Sequence, residues 1–387
     1  MPAPFSFTAP ARLVDFMRQA DEPGLINLAA GIPGLEALPT PELAAALGEA
    51  AAREGAKIFA YQHPSGDHLL RELLAERLRS RGAEVQGADI LTTTGCTQAL
   101  QLMISILVQP GDVVACEAPA YYGLLELLAA AKARVLPLPL AGADGIDLAA
   151  AEAALKEWKP RCLIVCSSLS NPSGVTLPEA NRERLVSLCR GLGVRIIEDD
   201  IYAELVDGGA PRPMRAFDDG STVAYVSSFS KSVAPGLRTG VCVPGTLFEE
   251  AATRKCQQDL HGSVVPEMAL RYFIGSGALE PHLAALRERN RRRRSLGLAA
   301  IERSFPAGTQ VTHPQGGYML WAELPRLIDL TKLRSRARVD RIVFASGDVF
   351  FAARPARSYL RLNCAKATEE DLTAGLERLG ALLQDSA

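Results

Sequence analysis

The sequence predicts an α/β fold: a seven-stranded, mostly parallel sheet with helices on both faces, followed by a smaller α+β domain. Three observations carry this. Between residues 90 and 243, short β-type runs alternate with segments of helical period. The runs are apolar almost from end to end, as strands buried on both faces are. After Gly245 the pattern changes to helices and then to short strands. The chain has 387 residues, 48% of them hydrophobic. At roughly 150 residues per domain that suffices for two or three domains.

Taken in order, a helix over 65–81 precedes the sheet. Strands are expected at 90–94, 112–116, 134–138, 161–167, 194–198, 223–227 and 240–243. Helices are expected at 97–108, 121–132, 147–156 and 178–192, the last opened by Pro178 and Glu179 and closed by Gly191 and Gly193. Helices continue through about 303, including one over 281–302, and short strands follow within 310–324, 342–345 and 358–363. Gly31, Pro33 and Gly34 break the chain ahead of the large domain. The expected division is an N-terminal segment 1–48 joining the small domain, a large domain 49–285, and a small C-terminal domain 286–387.

A formal net charge of −2 and a pI near 6.3 argue against nucleic acid or an anionic membrane as the dominant partner. The run RERNRRRR at 287–294 lies in a helical pattern without interleaved aromatics, so it reads as a solvated or ion-paired helix face. Cysteines sit in apolar runs (Cys116, Cys162, Cys166, Cys242) with no metal-ligand spacing, and read as reduced core residues. The N-terminus lacks a secretory pattern and no run reaches the roughly 18 apolar residues that span a bilayer, so the cytoplasm is the expected compartment.

Lys231 stands out among eight lysines and thirty-four arginines. Lys132, Lys156, Lys159 and Lys255 lie in polar or helical surroundings that suit a solvated ammonium. Lys231 instead follows an apolar strand, between hydroxyls and Arg238, where burial and a neighbouring cation lower an amine's pKa. In an open parallel sheet, ligands bind beyond the carboxyl ends of the strands. There the sequence delivers Gly95-Cys96-Thr97, Ala118 to Tyr121, Ser170-Asn171-Pro172, Asp199 to Tyr202, and Ser228 to Lys231. These groups fit pyridoxal 5'-phosphate: an amine for the imine, Asp199 for the pyridine nitrogen, Tyr202 and Asn171 for the phenolic oxygen, and Tyr121 as a stacking face. The start of the helix at Cys96 and Thr97, with Ser228, Ser230 and Arg238, suits the phosphate.

These residues resemble those of a known family. SFSKSVAPGLRTG resembles the lysine motif of fold-type I, class I/II aminotransferases. The resemblance continues through YQHPSGDHLLRE (61–72), GCTQAL (95–100), PGDVV (110–114), SNPSG (170–174), EDDIY (198–202) and YLRLNCA (359–365). The phrase EDDIYAEL is similar to the branch holding 2-aminoadipate and kynurenine-type aminotransferases and the catalytic domains of MocR-like regulators. The resemblance implies that Lys231 is the Schiff-base lysine and proton carrier, and that Arg361 clamps the substrate carboxylate near Gly31 and Asn171. It also implies a homodimer with composite sites, in which Tyr61 reaches the phosphate of the other subunit. Ser170 and Cys96 depart from the commoner family residues, and Cys96 is equally readable as a core residue. The spacing Asp-x-x-Tyr selects Asp199 over Asp200.

The expected activity is transfer of an amino group from an L-amino acid, leaning to a larger acidic or aromatic one, to a 2-oxo acid by a ping-pong mechanism. β-Elimination or decarboxylation on the same scaffold is the first rival, and a non-catalytic effector-binding domain the second. About sixty residues precede Tyr61, too few for a winged-helix domain beside the entry segment with GIPG. Arg12 and Arg18 are candidates for a distal carboxylate but suit exposed helix positions better.

Overall fold

The computed structural model describes residues 3–7 and 22–385. β1 (Ile26–Leu28), α1 (Thr40–Glu54) and α2 (His68–Ser80) lead to β2 (Leu91–Thr93). There follow α3 (Cys96–Leu107), β3 (Val113–Ala118), α4 (Tyr122–Ala130), β4 (Arg134–Pro139), α5 (Leu148–Trp158), β5 (Cys162–Cys166) and α6 (Glu179–Leu192). β6 (Arg195–Asp199), β7 (Val223–Ser228) and β8 (Gly240–Val243) complete the first sheet. The rest is α7 (Phe248–Asp259), α8 (Val264–Gly275), α9 (Leu279–Ser304), β9 (Gln310–Val311), β10 (Met319–Glu323), α10 (Leu330–Val339), β11 (Ile342–Ser346), β12 (Tyr359–Asn363) and α11 (Glu369–Gln384).

The large sheet has the order β2-β8-β7-β6-β5-β3-β4, and only β8 runs antiparallel to its neighbours. All seven predicted strands are present. Two-sided burial explains why they read as continuous apolar runs. Along β5, Ile164 joins Ile197 and Val226 beneath α3, while Leu163 and Val165 join Ile196 beneath α5 and α6. The period-two alternation of a strand thus feeds two separate cores.

The second sheet has the order β1-β11-β12-β10-β9, antiparallel except for the pair β1–β11. Helices α9 and α11 cover it, with Ala300, Ile301, Leu372, Leu376 and Leu379 packed on Leu320, Leu360 and Leu362. The other end of α9 belongs elsewhere: Leu279 and Leu283 pack with Leu270 and Phe273 against the large sheet. One helix therefore runs through both cores.

Two sequence expectations need correction. In the arginine run, Arg293 and Arg294 are buried rather than solvated. Nη1 of Arg293 donates to the carbonyls of Cys364 (3.3 Å), Ala365 (2.8 Å) and Ala367 (2.6 Å), closing the turn between β12 and α11. Arg294 donates to the Gly317 carbonyl at 2.6 Å and pairs with Asp207. The remaining arginines form surface pairs such as Arg289–Glu36 and Arg292–Glu369. The second correction is Lys255, which is wholly buried, its Nζ 3.0 Å from Asp259.

Candidate active site

Because β5, β6 and β7 are parallel, their carboxyl ends lie at one edge and bring Asn171, Asp199 and Lys231 together. Lys231 lies in the turn that follows β7. Its Nζ donates to the Gly31 carbonyl at 2.6 Å and stands 6.0 Å from the centre of the Tyr202 ring. No carboxylate hydrogen-bonds it among the described residues. Burial, Arg361 and Arg238 bring the ammonium down to about 8, against the pull of Asp199.

Asp199 closes β6. Its Oδ1 accepts from the Ile201 amide at 3.2 Å and from the Cys96 thiol at 3.5 Å. Burial pushes the carboxyl up to about 6. Cys96 is buried at the first position of α3, and burial together with Asp199 keeps its thiol protonated, so it acts as a donor to the carboxylate. Asp200 faces the opposite way, as the next residue of an extended chain must. It pairs with Arg81 at 2.5 Å and accepts from Ser168 at 2.6 Å.

Tyr202 is buried with its ring edge-on to Tyr318, centroids 6.3 Å apart. Sequence reasoning missed Tyr318, whose hydroxyl donates to the Gly31 carbonyl at 3.4 Å. The signal lay in the preceding glycines. A Cβ on Gly316 would collide with the Leu205 carbonyl oxygen, and Gly317 has φ +61. Tyr121 sits at the start of α4, its ring centroid 4.9 Å from that of Tyr122. Gly123 leaves room for it, since a Cβ there would come 2.5 Å from the Tyr121 ring.

Arg361, on β12, is fully buried. Its Nη1 donates to Asn171 Oδ1 at 3.0 Å and its Nη2 to the Ala29 carbonyl, while Nε finds no partner. Phe350 covers the guanidinium at 5.1 Å, and the Tyr122 hydroxyl hydrogen-bonds it. No acidic residue pairs with it among the described residues. A buried arginine without an anion leaves a charge to be matched by a ligand. Gly31 is part of the same arrangement, because a Cβ there would stand 3.2 Å from Arg361 Nη1.

The start of α3 forms the phosphate-binding candidate. Gly95 precedes it at φ +80, and a Cβ there would collide with Arg238 Nη2. Arg238 reaches Ser230 Oγ and the Thr94 carbonyl, each at 3.2 Å, and Ser228 Oγ accepts from the Ser230 amide at 3.2 Å. The amides of Cys96 and Thr97 precede the first intrahelical acceptor, so they and the exposed Thr97 hydroxyl are available to an anion. Tyr61 stands apart. It is 85% exposed and packs edge-on against His261 at 5.4 Å. Arg12 and Arg18 lie outside the described residues.

Glu117, at the end of β3, is a second residue the sequence did not single out. It is buried, accepts from Ser170 Oγ at 2.9 Å and from the Cys166 amide at 3.2 Å, and burial pushes it up to about 8. It thereby fixes the loop that carries Asn171. A cavity of about 620 Å³ opens between the two sheets, lined by Pro119, Ser173, Gly174, Trp321, Phe351 and Tyr359 among others. Among the described residues there is no cluster suited to a metal and no helix long and apolar enough to cross a membrane.

Residues 23–379 match the family described as aminotransferase class I and II. An HTH-type transcriptional regulator of Escherichia coli is 30% identical over 378 residues, covering 97% of this chain and 80% of the regulator. Aromatic-amino-acid aminotransferase 1 of Thermococcus litoralis is 29% identical over 96% of this chain and 91% of its own. The crystal structure of an α-aminoadipate aminotransferase from Thermus thermophilus, complexed with N-(5'-phosphopyridoxyl)-L-leucine, superposes with a TM-score of 0.88 at 31% identity, covering 96% of this chain and 94% of that one.

Proposed function

The chain belongs to the class I and II aminotransferases, and from that premise we propose that it moves the amino group of a larger L-amino acid, acidic or aromatic, to a 2-oxo acid in two alternating half-reactions. Pyridoxal 5'-phosphate is the cofactor of this family, and the residues present fit it. Asp199 is a half-buried carboxylate with no cation hydrogen-bonded to it among the described residues, suited to a protonated pyridine nitrogen. Asn171 and Tyr202 suit the phenolic oxygen, Tyr121 the ring face, and Cys96, Thr97, Ser228, Ser230 and Arg238 the phosphate. When bound, pyridoxal phosphate supplies the electron sink for a substrate carbanion.

The rest is the work of side chains. Arg361 holds the substrate α-carboxylate through its fork, with Asn171 fixing one arm. Lys231, released from its bond to the Gly31 carbonyl, takes the substrate α-proton and returns it two bonds away, beyond the amino nitrogen. Its lowered pKa leaves a useful neutral fraction near pH 8. Phe350 covers the Arg361 guanidinium, and the Tyr202 ring centre lies 6.0 Å from the Lys231 amine. One observation carries the reading. Among the described residues, an amine at the end of β7 bonded only to the Gly31 carbonyl and a buried guanidinium on β12 with no acid beside it meet at Gly31. The substrate class is supported by the relatives, which act on an aromatic amino acid and on α-aminoadipate, and by the aromatic wall of the adjoining cavity.

The test is the visible spectrum of the cofactor-loaded protein during addition of single L-amino acids without an oxo acid. Bleaching that reverses on adding a 2-oxo acid establishes transfer and names the substrate class. The similarity to a transcriptional regulator favours one second reading, a ligand-sensing domain. It predicts a spectral shift without release of any oxo acid. Release of pyruvate or carbon dioxide instead marks elimination or decarboxylation.

A further inference from the structure

Behind the start of α3 lies a group of polar side chains that the proposed reaction does not use. Lys255 is wholly buried and its Nζ donates to Asp259 Oδ1 at 3.0 Å. Asp259 Oδ2 accepts from Gln98 Nε2 at 2.7 Å, and Gln98 Oε1 accepts from the Thr94 amide at 2.6 Å. Thr94 is the residue whose carbonyl takes Arg238 Nη2. Gly95, at the head of α3, has no side chain to cap the helix, so the turn is held through Gln98 instead. On the other side of the lysine, Glu267 is buried and accepts from Thr92 Oγ1 (2.7 Å), Gln62 Nε2 (3.0 Å) and the Asp67 amide (3.0 Å). The charge on Lys255 opposes the burial that raises this carboxyl.

We propose that Lys255 is a positioning residue for the phosphate-binding turn. It orients Asp259, which orients Gln98, which fixes the Thr94–Gly95 backbone and so the direction of the free amides of Cys96 and Thr97 and the seat of Arg238. The cost of burying an ammonium is large unless the charge is matched and useful. A buried lysine of α7 paired with a carboxylate that is itself tied to the turn meets that condition. The proposal rests on the assignment of Thr97, Ser230 and Arg238 to the phosphate.

The experiment compares binding of pyridoxal 5'-phosphate and of pyridoxal, which lacks the phosphate, by equilibrium dialysis. The unaltered protein, Lys255→Met, Gln98→Leu and the double variant are measured. Each single variant is expected to lose about tenfold or more in affinity for the phosphorylated ligand and less than about twofold for pyridoxal, and the double variant to lose no more than the worse single one, since the residues act in series. Equal losses for both ligands, or a phosphorylated-ligand affinity within about twofold of the parent, overturn the proposal. Should Lys255→Met fail to fold, Gln98→Leu, at a half-buried position, gives the same two readings. A parent protein that binds the two ligands equally well overturns the phosphate-site assignment itself, a separate failure.

Discussion

At Lys231 and Arg361 two cations stand near one another with no shared acid among the described residues, and the sequence disclosed them unequally. The lysine was legible because it follows an apolar strand within a dense local motif. For Arg361 the family resemblance supplied the role, whereas its burial and its bond to Asn171 come from a contact across 190 residues that no local pattern encodes. Replacing Lys231 by Ala is expected to abolish the visible band of the bound cofactor and to cut turnover at least about a thousandfold; near-normal turnover would refute the assignment. Arg361→Ala is expected to raise the Michaelis constant for the amino acid by about tenfold to a hundredfold with cofactor still bound. The amine also sets a pH dependence. Its pKa is lowered to about 8, so the reactive neutral form is scarce below that value and dominant above it. Cofactor uptake by cofactor-free protein, followed by stopped flow, should therefore accelerate through a midpoint near pH 8. A midpoint above about 10 would mean a solvated amine.

Among the elements, strands were the easy part, because two-sided burial writes itself into four to six consecutive apolar residues. The sequence expectation lacked β1, α1, α10 and α11. Helix α1 buries only Ala46 and Ala50, both small, so it offers no run of large apolar side chains to read. Helix α11 carries an apolar stripe at Leu372, Leu376, Leu379 and Leu383 that periodicity can find. The burial of Arg293 and Arg294 was invisible because their partners, backbone carbonyls and the Asp207 carboxylate, lie far away along the chain. Arg293→Ala, which strips three carbonyls of their donor, should destabilise the fold by about 2–4 kcal/mol in urea unfolding, whereas Arg292→Ala, on the exposed face, should stay within about 0.5 kcal/mol. The end of β3 offers a pH test. Glu117 has a folded pKa of about 8, above the usual carboxylate range. Its contribution to stability is therefore complete at acid pH and lost as pH rises through about 8. Glu117→Gln, which keeps a neutral acceptor for Ser170 and Cys166, should gain melting temperature over the parent steadily between about pH 5 and about pH 8.5. A constant difference would place the carboxyl in an ordinary range.

For the molecule as a whole, Tyr61 defines the outstanding question, since its ring is 85% exposed. If two subunits build each site, mixing Lys231→Ala protein with Tyr61→Ala protein under conditions of subunit exchange should regenerate activity. The mixed dimer holds one intact site, so random pairing restores about a quarter of the unaltered sites. Absence of any recovery, with exchange verified by mass, would make each chain self-sufficient. Finally, the single reversed strand of the large sheet has a consequence of its own. Had β8 run with its neighbours, the chain would have had to cross back to the amino end of β7 to begin it, carrying Arg238 away from Lys231. Because β8 turns straight back, both cations hang on one short hairpin between Ser228 and Gly240. Their spacing along the chain is thus fixed by the length of one hairpin, and a single inserted residue there would shift the guanidinium relative to the amine.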